Sequence, residues 1–118
     1  MMLSFQHLDW DSVETESLNP EIQRQFINTE KTTIARFVLK KGVVVPTHQH
    51  PNEQIAFVTE GALRFIVDGN PVVVSAGEAL CIPANIPHSA EALEDTVDID
   101  VFTPPRMDWL AKDDAYLR

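Results

Sequence analysis

The segment Gly42-Val43-Val44-Val45-Pro46-Thr47-His48-Gln49-His50-Pro51-Asn52-Glu53-Gln54-Ile55-Ala56-Phe57-Val58-Thr59-Glu60-Gly61 carries most of what this sequence says about its fold. Its β-branched and aromatic runs, Val43–Pro46 and Gln54–Thr59, are too short for helices and are bounded by turn residues, so each reads as a strand. Between them stands His48-Gln49-His50. Side chains alternate faces on an extended strand, so His48 and His50 point the same way, the simplest means of drawing two imidazoles from three residues. A neutral imidazole nitrogen is the commonest metal ligand. Taken alone, however, His-x-His fits solvated loop histidines equally well.

The same texture continues on both sides. Ile22–Ile27, Thr32–Leu39, Ala62–Val67, Pro71–Val74, Ala79–Ile82, Ser89–Ala92 and Val97–Phe102 read as further strands, and helical periodicity is hard to find. Asn28-Thr29-Glu30-Lys31, Lys40-Lys41-Gly42, Asp68-Gly69-Asn70-Pro71, Ala76-Gly77 and Glu94-Asp95 supply turns. Asp68-Gly69 is the strongest hairpin signal. The sequence therefore predicts an all-β sandwich or barrel. Its ends differ from the middle. Residues 1–21 carry Phe5, Leu8, Trp10, Val13 and Leu18 without a clean period and are expected to drape over the barrel or a neighbouring subunit. After Pro104-Pro105, the tail 104–118 has room for a short helix bearing Trp109, Leu110 and Tyr116.

With 118 residues, one domain and one core are expected, with a barrel core over about residues 32–103. Eighteen acidic against nine scattered basic residues give a net charge of −9. That argues against a nucleic-acid partner, because binding a phosphate backbone needs a concentrated basic face. No run approaches the roughly 20 apolar residues of a membrane span, and the start is neither basic nor continuously apolar, so a cytoplasmic protein is expected. Cys81 is the single cysteine, which excludes an intrachain disulfide; within Ala79-Leu80-Cys81-Ile82 it reads as a small apolar core residue. His7 stands isolated, and Glu60, Glu78 and Glu91 read as solvated strand ends.

A third histidine, His88, follows Pro83-Ala84-Asn85-Ile86-Pro87. With it the spacing gains meaning: Gly42–Gly61 resembles the first cupin motif, and Gly77-Glu78-Ala79-Leu80-Cys81-Ile82-Pro83-Ala84-Asn85-Ile86-Pro87-His88 resembles the second. The resemblance covers roughly residues 36–102 and implies a single-domain jelly-roll barrel with an irregular N-terminal arm and a short C-terminal tail. It also implies one divalent transition metal held by His48, His50, His88 and a fourth ligand. Asn85 stands where the family usually has glycine, a mild departure because asparagine tolerates left-handed backbone. Ala92 stands where asparagine is common. For the fourth ligand, strand parity favours Gln54, which shares the face of His48 and His50, over Glu53, which points away unless Pro51-Asn52 disturbs the register. Three imidazoles and an amide are all neutral and leave the cation its full charge. They suit nickel, iron, manganese, cobalt or zinc alike.

On the last long strand Asp98, Asp100 and Phe102 alternate with Val97, Ile99 and Val101. Alternation alone leaves open which set faces inward. Here His48-Gln49-His50-Pro51-Asn52-Glu53-Gln54 together with Asp100-Val101-Phe102-Thr103-Pro104-Pro105-Arg106 resembles the pectin-degradation cupins of the KdgF type. That closer resemblance implies Asp100 as catalytic acid/base, and Phe102 and Arg106 as substrate-binding residues. It implies an isomerase-type enzyme that converts 4,5-unsaturated uronates from pectin or alginate to the linear 4-deoxy-5-keto form. Arg106 is expected to pair with the carboxylate of this small anionic sugar, with Arg36 or Arg64 adding positive charge against the −9 of the whole. A metal-dependent dioxygenase and a non-catalytic sugar- or metal-binding cupin are the alternatives. Cupins of this size usually pair, so a homodimer is expected.

Overall fold

A computed structural model describes residues 5–118, and the first four residues of the expected N-terminal arm lie outside the described residues. The strands in chain order are β1 (Glu16–Asn19), β2 (Ile22–Asn28), β3 (Thr33–Leu39), β4 (Val44–His48) and β5 (Glu53–Glu60). They continue with β6 (Ala62–Val67), β7 (Asn70–Ser75), β8 (Ala79–Ile82), β9 (His88–Ala92) and β10 (Thr96–Thr103). All pairings are antiparallel. Six strands form one sheet in the order β1-β2-β3-β10-β5-β8, and four form the other in the order β4-β9-β6-β7. Two sheets face each other with the core between them, the jelly-roll arrangement of a cupin.

The turn chemistry accounts for the corners. Asp68 and Gly69 both take positive φ, 49° and 80°, and join β6 to β7 with Val67 opposite Asn70. These are the dihedral signs that a two-residue type I′ hairpin demands. Gly61, at φ 83°, admits no side chain at all: a Cβ there would collide with the Asp95 carbonyl oxygen and with Thr96. Asn85 adopts φ 63°, the left-handed geometry expected of it, and its N–H donates to the carbonyl of His50 at 2.8 Å. One contact thus ties the loop before His88 to the loop after His48.

The interior is apolar over most of its length, with Ile22, Phe37, Leu39, Val58, Leu63, Phe65 and Val74 all buried. Burial alternates strictly along β3 and β10. Thr33, Ala35, Phe37 and Leu39 face inward on β3, and Thr96, Asp98, Asp100 and Phe102 do so on β10. Val97, Ile99 and Val101 therefore take the outer face.

The ends depart from expectation. The N-terminal arm closes with strand β1, paired to β2, and the side-chain amide of Gln25 holds the carbonyls of Trp10 and Val13. In the tail, helix α1 (Met107–Leu110) is a single turn, and Tyr116 lies on a separate one-turn 3-10 segment, Ala115–Leu117. Trp109 is buried, with its ring edge-on to Phe26, Phe37 and Phe102 at centroid distances of 5.4, 5.9 and 5.2 Å. Leu110 remains exposed. The tail thus plugs one end of the barrel. Among the described residues, no helix is long and apolar enough to cross a membrane.

Candidate metal centre

His48 closes β4, His88 opens β9, and the two are directly opposite in the four-stranded sheet. His50 follows in the loop, and Gln54 sits near the start of β5, opposite Phe102 of β10. The fold brings one ligating nitrogen from each of His48, His50 and His88 within 4.8 Å of one another. Each ring is held the same way. Nδ1 of His48 donates to the Pro46 carbonyl at 2.8 Å, that of His50 to Asn52 at 3.1 Å, and that of His88 to Ile86 at 2.8 Å. A carbonyl oxygen only accepts, so Nδ1 carries the proton and Nε2 is left with its lone pair free.

Two observations test whether these residues fit a cation. His88 Nε2 is buried and has no hydrogen-bond partner. His50 Nε2 stands 3.1 Å from Gln54 Oε1, while the Gln54 amide lies on the Asp100 carboxyl. Two lone-pair bearers therefore face each other at a separation that a shared cation satisfies. The imidazoles are also in the right protonation state. Burial, with the neighbouring rings and Arg106 adding to it, pushes His48 and His50 down to about 4, and burial lowers His88 as well. All three are neutral at physiological pH, so no proton has to be expelled before a metal binds. The residues present fit a divalent metal. Gln54 is buried, whereas its neighbour Glu53 is exposed and on the opposite face of β5.

Behind this cluster lies a chamber of about 50 Å³ whose lining includes His48, Gln54, His88, Asp98, Asp100, Phe102 and Arg106. Asp100 is flanked in register by Ala35 and Ala56, both fully buried, and these two methyl side chains leave its carboxyl room. Both carboxyls keep one buried oxygen, Oδ1, without a partner. Burial drives Asp98 well above the ordinary carboxyl range, and the adjacent Asp100 drives it further. Burial also raises Asp100, to about 6, but hydrogen bonds from Asp98 and Gln54 and the charge of Arg106 pull it back. At neutral pH the pair thus retains a proton on Asp98 while Asp100 is the ionised partner, the usual outcome when two carboxyls share one buried site.

Arg106 is nearly inaccessible and is stacked over the rings of Phe102 and Trp109 at 4.7 and 4.4 Å. Its guanidinium is not fully free. Nε and Nη2 donate to the two carboxylate oxygens of Asp108 at 2.9 and 2.7 Å, and Nη2 also donates to the Tyr116 hydroxyl. Burial opposes this charge, but the Asp108 and Tyr116 contacts outweigh it and hold the group above the ordinary arginine range.

Other sequence expectations fall elsewhere. Arg36 is on the outer face of β3 and donates to Gln25, and Arg64 is exposed and paired with Glu91, so neither adds charge to the chamber. Cys81 is exposed rather than in the core, because β8 turns its parity the other way and buries Ile82. His7 is exposed and away from the cluster. Sequence reasoning gave Asp98 no role of its own and treated Tyr116 only as a tail aromatic. No local pattern marks Tyr116, although its ring stacks on His48 at 4.4 Å.

Two facing antiparallel sheets with a three-histidine cluster inside one end are the architecture of a cupin, and the family model for the cupin domain matches residues 35–103. The chain belongs to the cupin family. Within it, the relatives are of the KdgF type. The chain is 30% identical over 103 residues to the pectin degradation protein KdgF of Dickeya dadantii, covering 85% of this chain and 94% of that one. Among solved structures it is similar to KdgF from Halomonas sp., with a TM-score of 0.84 and 29% identity over 90% of this chain and 99% of that one. It is similar as well to an RmlC-like cupin from Shewanella frigidimarina, with a TM-score of 0.83 and 26% identity over 92% and 99% of the two chains.

Proposed function

We propose that this protein is a metal-dependent isomerase that converts 4,5-unsaturated uronates, derived from pectin or alginate, to the linear 4-deoxy-5-keto form. The observation that carries the reading is the convergence on one chamber of neutral imidazoles, a buried guanidinium and a buried carboxyl raised to about 6. A relative named for pectin degradation supports the substrate class.

The reaction gains and loses no atoms. Opening the ring hemiacetal frees an enol at C5, and ketonisation places a proton on C4 while the enol oxygen gives one up. Asp100 is the group suited to move these protons: its Oδ1 is buried without a partner, and its pKa is close to physiological pH. Asp98 backs it as a hydrogen-bond donor. Arg106 binds the sugar's carboxylate, and since Asp108 already holds the Nε and Nη2 side, the Nη1–Nη2 edge, where the Tyr116 hydroxyl now rests on Nη2, is the one for it. Phe102, itself buried, supports the guanidinium with the face of its ring. A divalent cation held by His48, His50, Gln54 and His88 would supply Lewis-acid polarisation of the sugar's oxygens.

Incubation of the purified protein with unsaturated galacturonate, followed by loss of its absorbance, tests the reading. A rate above spontaneous conversion is expected; it should vanish with a chelator and return with a divalent metal. It should be the same with and without oxygen, which separates it from the dioxygenase alternative. A rate no faster than the spontaneous one, with or without metal, rejects the reading, and binding without turnover would favour a sugar-binding cupin.

The homodimer expected from the sequence is proposed to form through the outer face of the six-stranded sheet. Ile34, Val101, Ile55 and Cys81 make one row across β3, β10, β5 and β8, and Ile99 and Phe57 lie beside it. Phe57 is 41% and Ile55 39% exposed in the single chain. A flat apolar patch of this kind is the usual mark of an association surface.

A further inference from the structure

His48 and Tyr116 belong to two cavities at once. One is the inner chamber of about 50 Å³, and the other is an outer cleft of about 390 Å³ walled by His50, Asn52, Pro104, Met107 and Asp108. Ligand sites commonly need about 300–1,000 Å³, so the inner chamber alone is too small for a sugar acid. His48 and Tyr116, the residues common to both linings, stand between the cavities with their rings stacked at an interplanar angle of 26°. The Tyr116 hydroxyl accepts a hydrogen bond from Arg106 Nη2.

We propose that Tyr116 is a carboxylate-selective gate: its hydroxyl occupies the guanidinium edge of Arg106 that a ligand carboxylate takes over, and that exchange swings the ring off His48 and joins the two cavities. The local structure suits a side-chain swing. Tyr116 is half-buried between two anchors, Asp114, which pairs with Arg24 and Arg118, and Leu117, which is in the core. The backbone on both sides is therefore pinned while the ring has the open cleft beside it. Asp108 keeps the guanidinium in place through its other edge, so the exchange of Tyr116 for a carboxylate costs Arg106 no reorientation. A neutral ligand has nothing to offer Arg106 that the phenol does not already supply. Only an anion improves on it, because a charge-assisted bidentate bond is stronger than one to a neutral hydroxyl.

That the carboxylate belongs to a uronate rests on the function proposed above, whereas the gate rests on geometry. The test uses the nickel-loaded full chain as wild type, Tyr116→Phe and Tyr116→Ala, with thermal melting to confirm that each is folded. First, EDTA, itself a polycarboxylate, strips the metal. The rates are expected to rise from wild type through Tyr116→Phe to Tyr116→Ala, by tenfold or more overall; equal rates in all three overturn the gate whatever the substrate is. Second, calorimetry measures binding of galacturonate, a saturated uronate, against uncharged galactose. Removing the hydroxyl removes one competing hydrogen bond, so Tyr116→Phe should bind galacturonate about fivefold more tightly with no gain for galactose. Unchanged or weaker galacturonate binding in Tyr116→Phe rejects the displacement step. Graded stripping with no galacturonate binding in any variant leaves the gate standing and removes only the uronate reading.

Discussion

At the scale of single residues, the barrel interior is unusual for what it buries. Two carboxyls, Asp98 and Asp100, share a face with Phe102 inside the sandwich, while three aliphatic neighbours face out. Burying such groups is unfavourable unless they are paired or remain protonated, and the site does both. If Asp100 moves the protons, Asp100→Ala should lower kcat/KM by about 10²–10⁴ while the content of bound divalent metal by elemental analysis stays at the wild-type level. Full activity in that variant would remove Asp100 from the mechanism. A second prediction concerns pH. Asp100 titrates at about 6 in the folded protein against an ordinary 3.8, so the folded state holds the extra proton. The contribution of Asp100 to stability is therefore whole below about 3.8 and is lost as pH rises through about 6, and that of Asp98, raised further by burial, is lost at higher pH still. Asp98→Asn removes a carboxyl that must take up a proton on folding at high pH, yet keeps a donor for Asp100. The metal-free variant should be more stable than metal-free wild type at pH 8, by about 1–3 kcal/mol in urea unfolding, with the gap closing by pH 4. A gap that is the same at both pH values would show that the two carboxyls do not share a proton.

At the scale of elements, the C-terminal tail turns an open-ended barrel into a closed site. Its turn Ala115–Leu117 and helix α1 deliver Tyr116, Leu117 and Trp109 to the barrel mouth. What holds the tail there is a buried ion pair: Arg24 of β2 donates from Nη2 to Asp114 Oδ2 at 3.0 Å, and both side chains are 1% exposed. The Arg24 guanidinium also stacks on Trp109, at 4.3 Å from the ring centroid. Glu16 also accepts from Arg24 Nη2, at 3.1 Å, so removing Asp114 leaves the buried guanidinium only partly compensated. Asp114→Ala is therefore expected to cost about 1–3 kcal/mol in chemical denaturation. It should also raise amide exchange through residues 107–118 before the sheets are affected. Exchange that rises uniformly over the whole chain would mean that the tail is not a separately stabilised element.

At the scale of the whole molecule, the −9 charge and the apolar outer sheet pull in different directions. Self-repulsion disfavours association, and the patch around Phe57, Ile55 and Val101 favours it. The patch is local and nearly free of carboxylates, so pairing is expected to win: sedimentation equilibrium should give twice the monomer mass. Phe57→Asp should return the protein to a monomer without changing metal content. A wild type that sediments as a monomer at all concentrations would dispose of the pairing.

Much of this molecule was legible along the chain, and the reason is that the legible parts are local. Strand parity rests on backbone geometry that repeats every two residues. It was enough to set His48 beside His50 and to prefer Gln54 over Glu53, and it is Gln54 that the structure places against His50. Turn dihedrals are equally local, and the Asp68-Gly69 hairpin and the left-handed Asn85 followed from residue type. Sidedness is not local. Alternation on β10 gave two sets of side chains but not which one faces in; that was decided by Ala35 and Ala56, which come from distant strands and leave the space Asp100 fills. The same limit explains Cys81, whose apolar neighbours suggested burial while the pairing of β8 with β5 turned it outward. It explains the Arg106 fork, half taken by Asp108, and Tyr116, which meets His48 across 68 residues of chain. The sequence by itself determined every strand but β1, the turns and the candidate ligand types, because each depends on a few adjacent dihedrals. Only the tertiary structure decided which faces line the chamber and what closes it, because those depend on which distant side chains compete for the same space and the same hydrogen bonds.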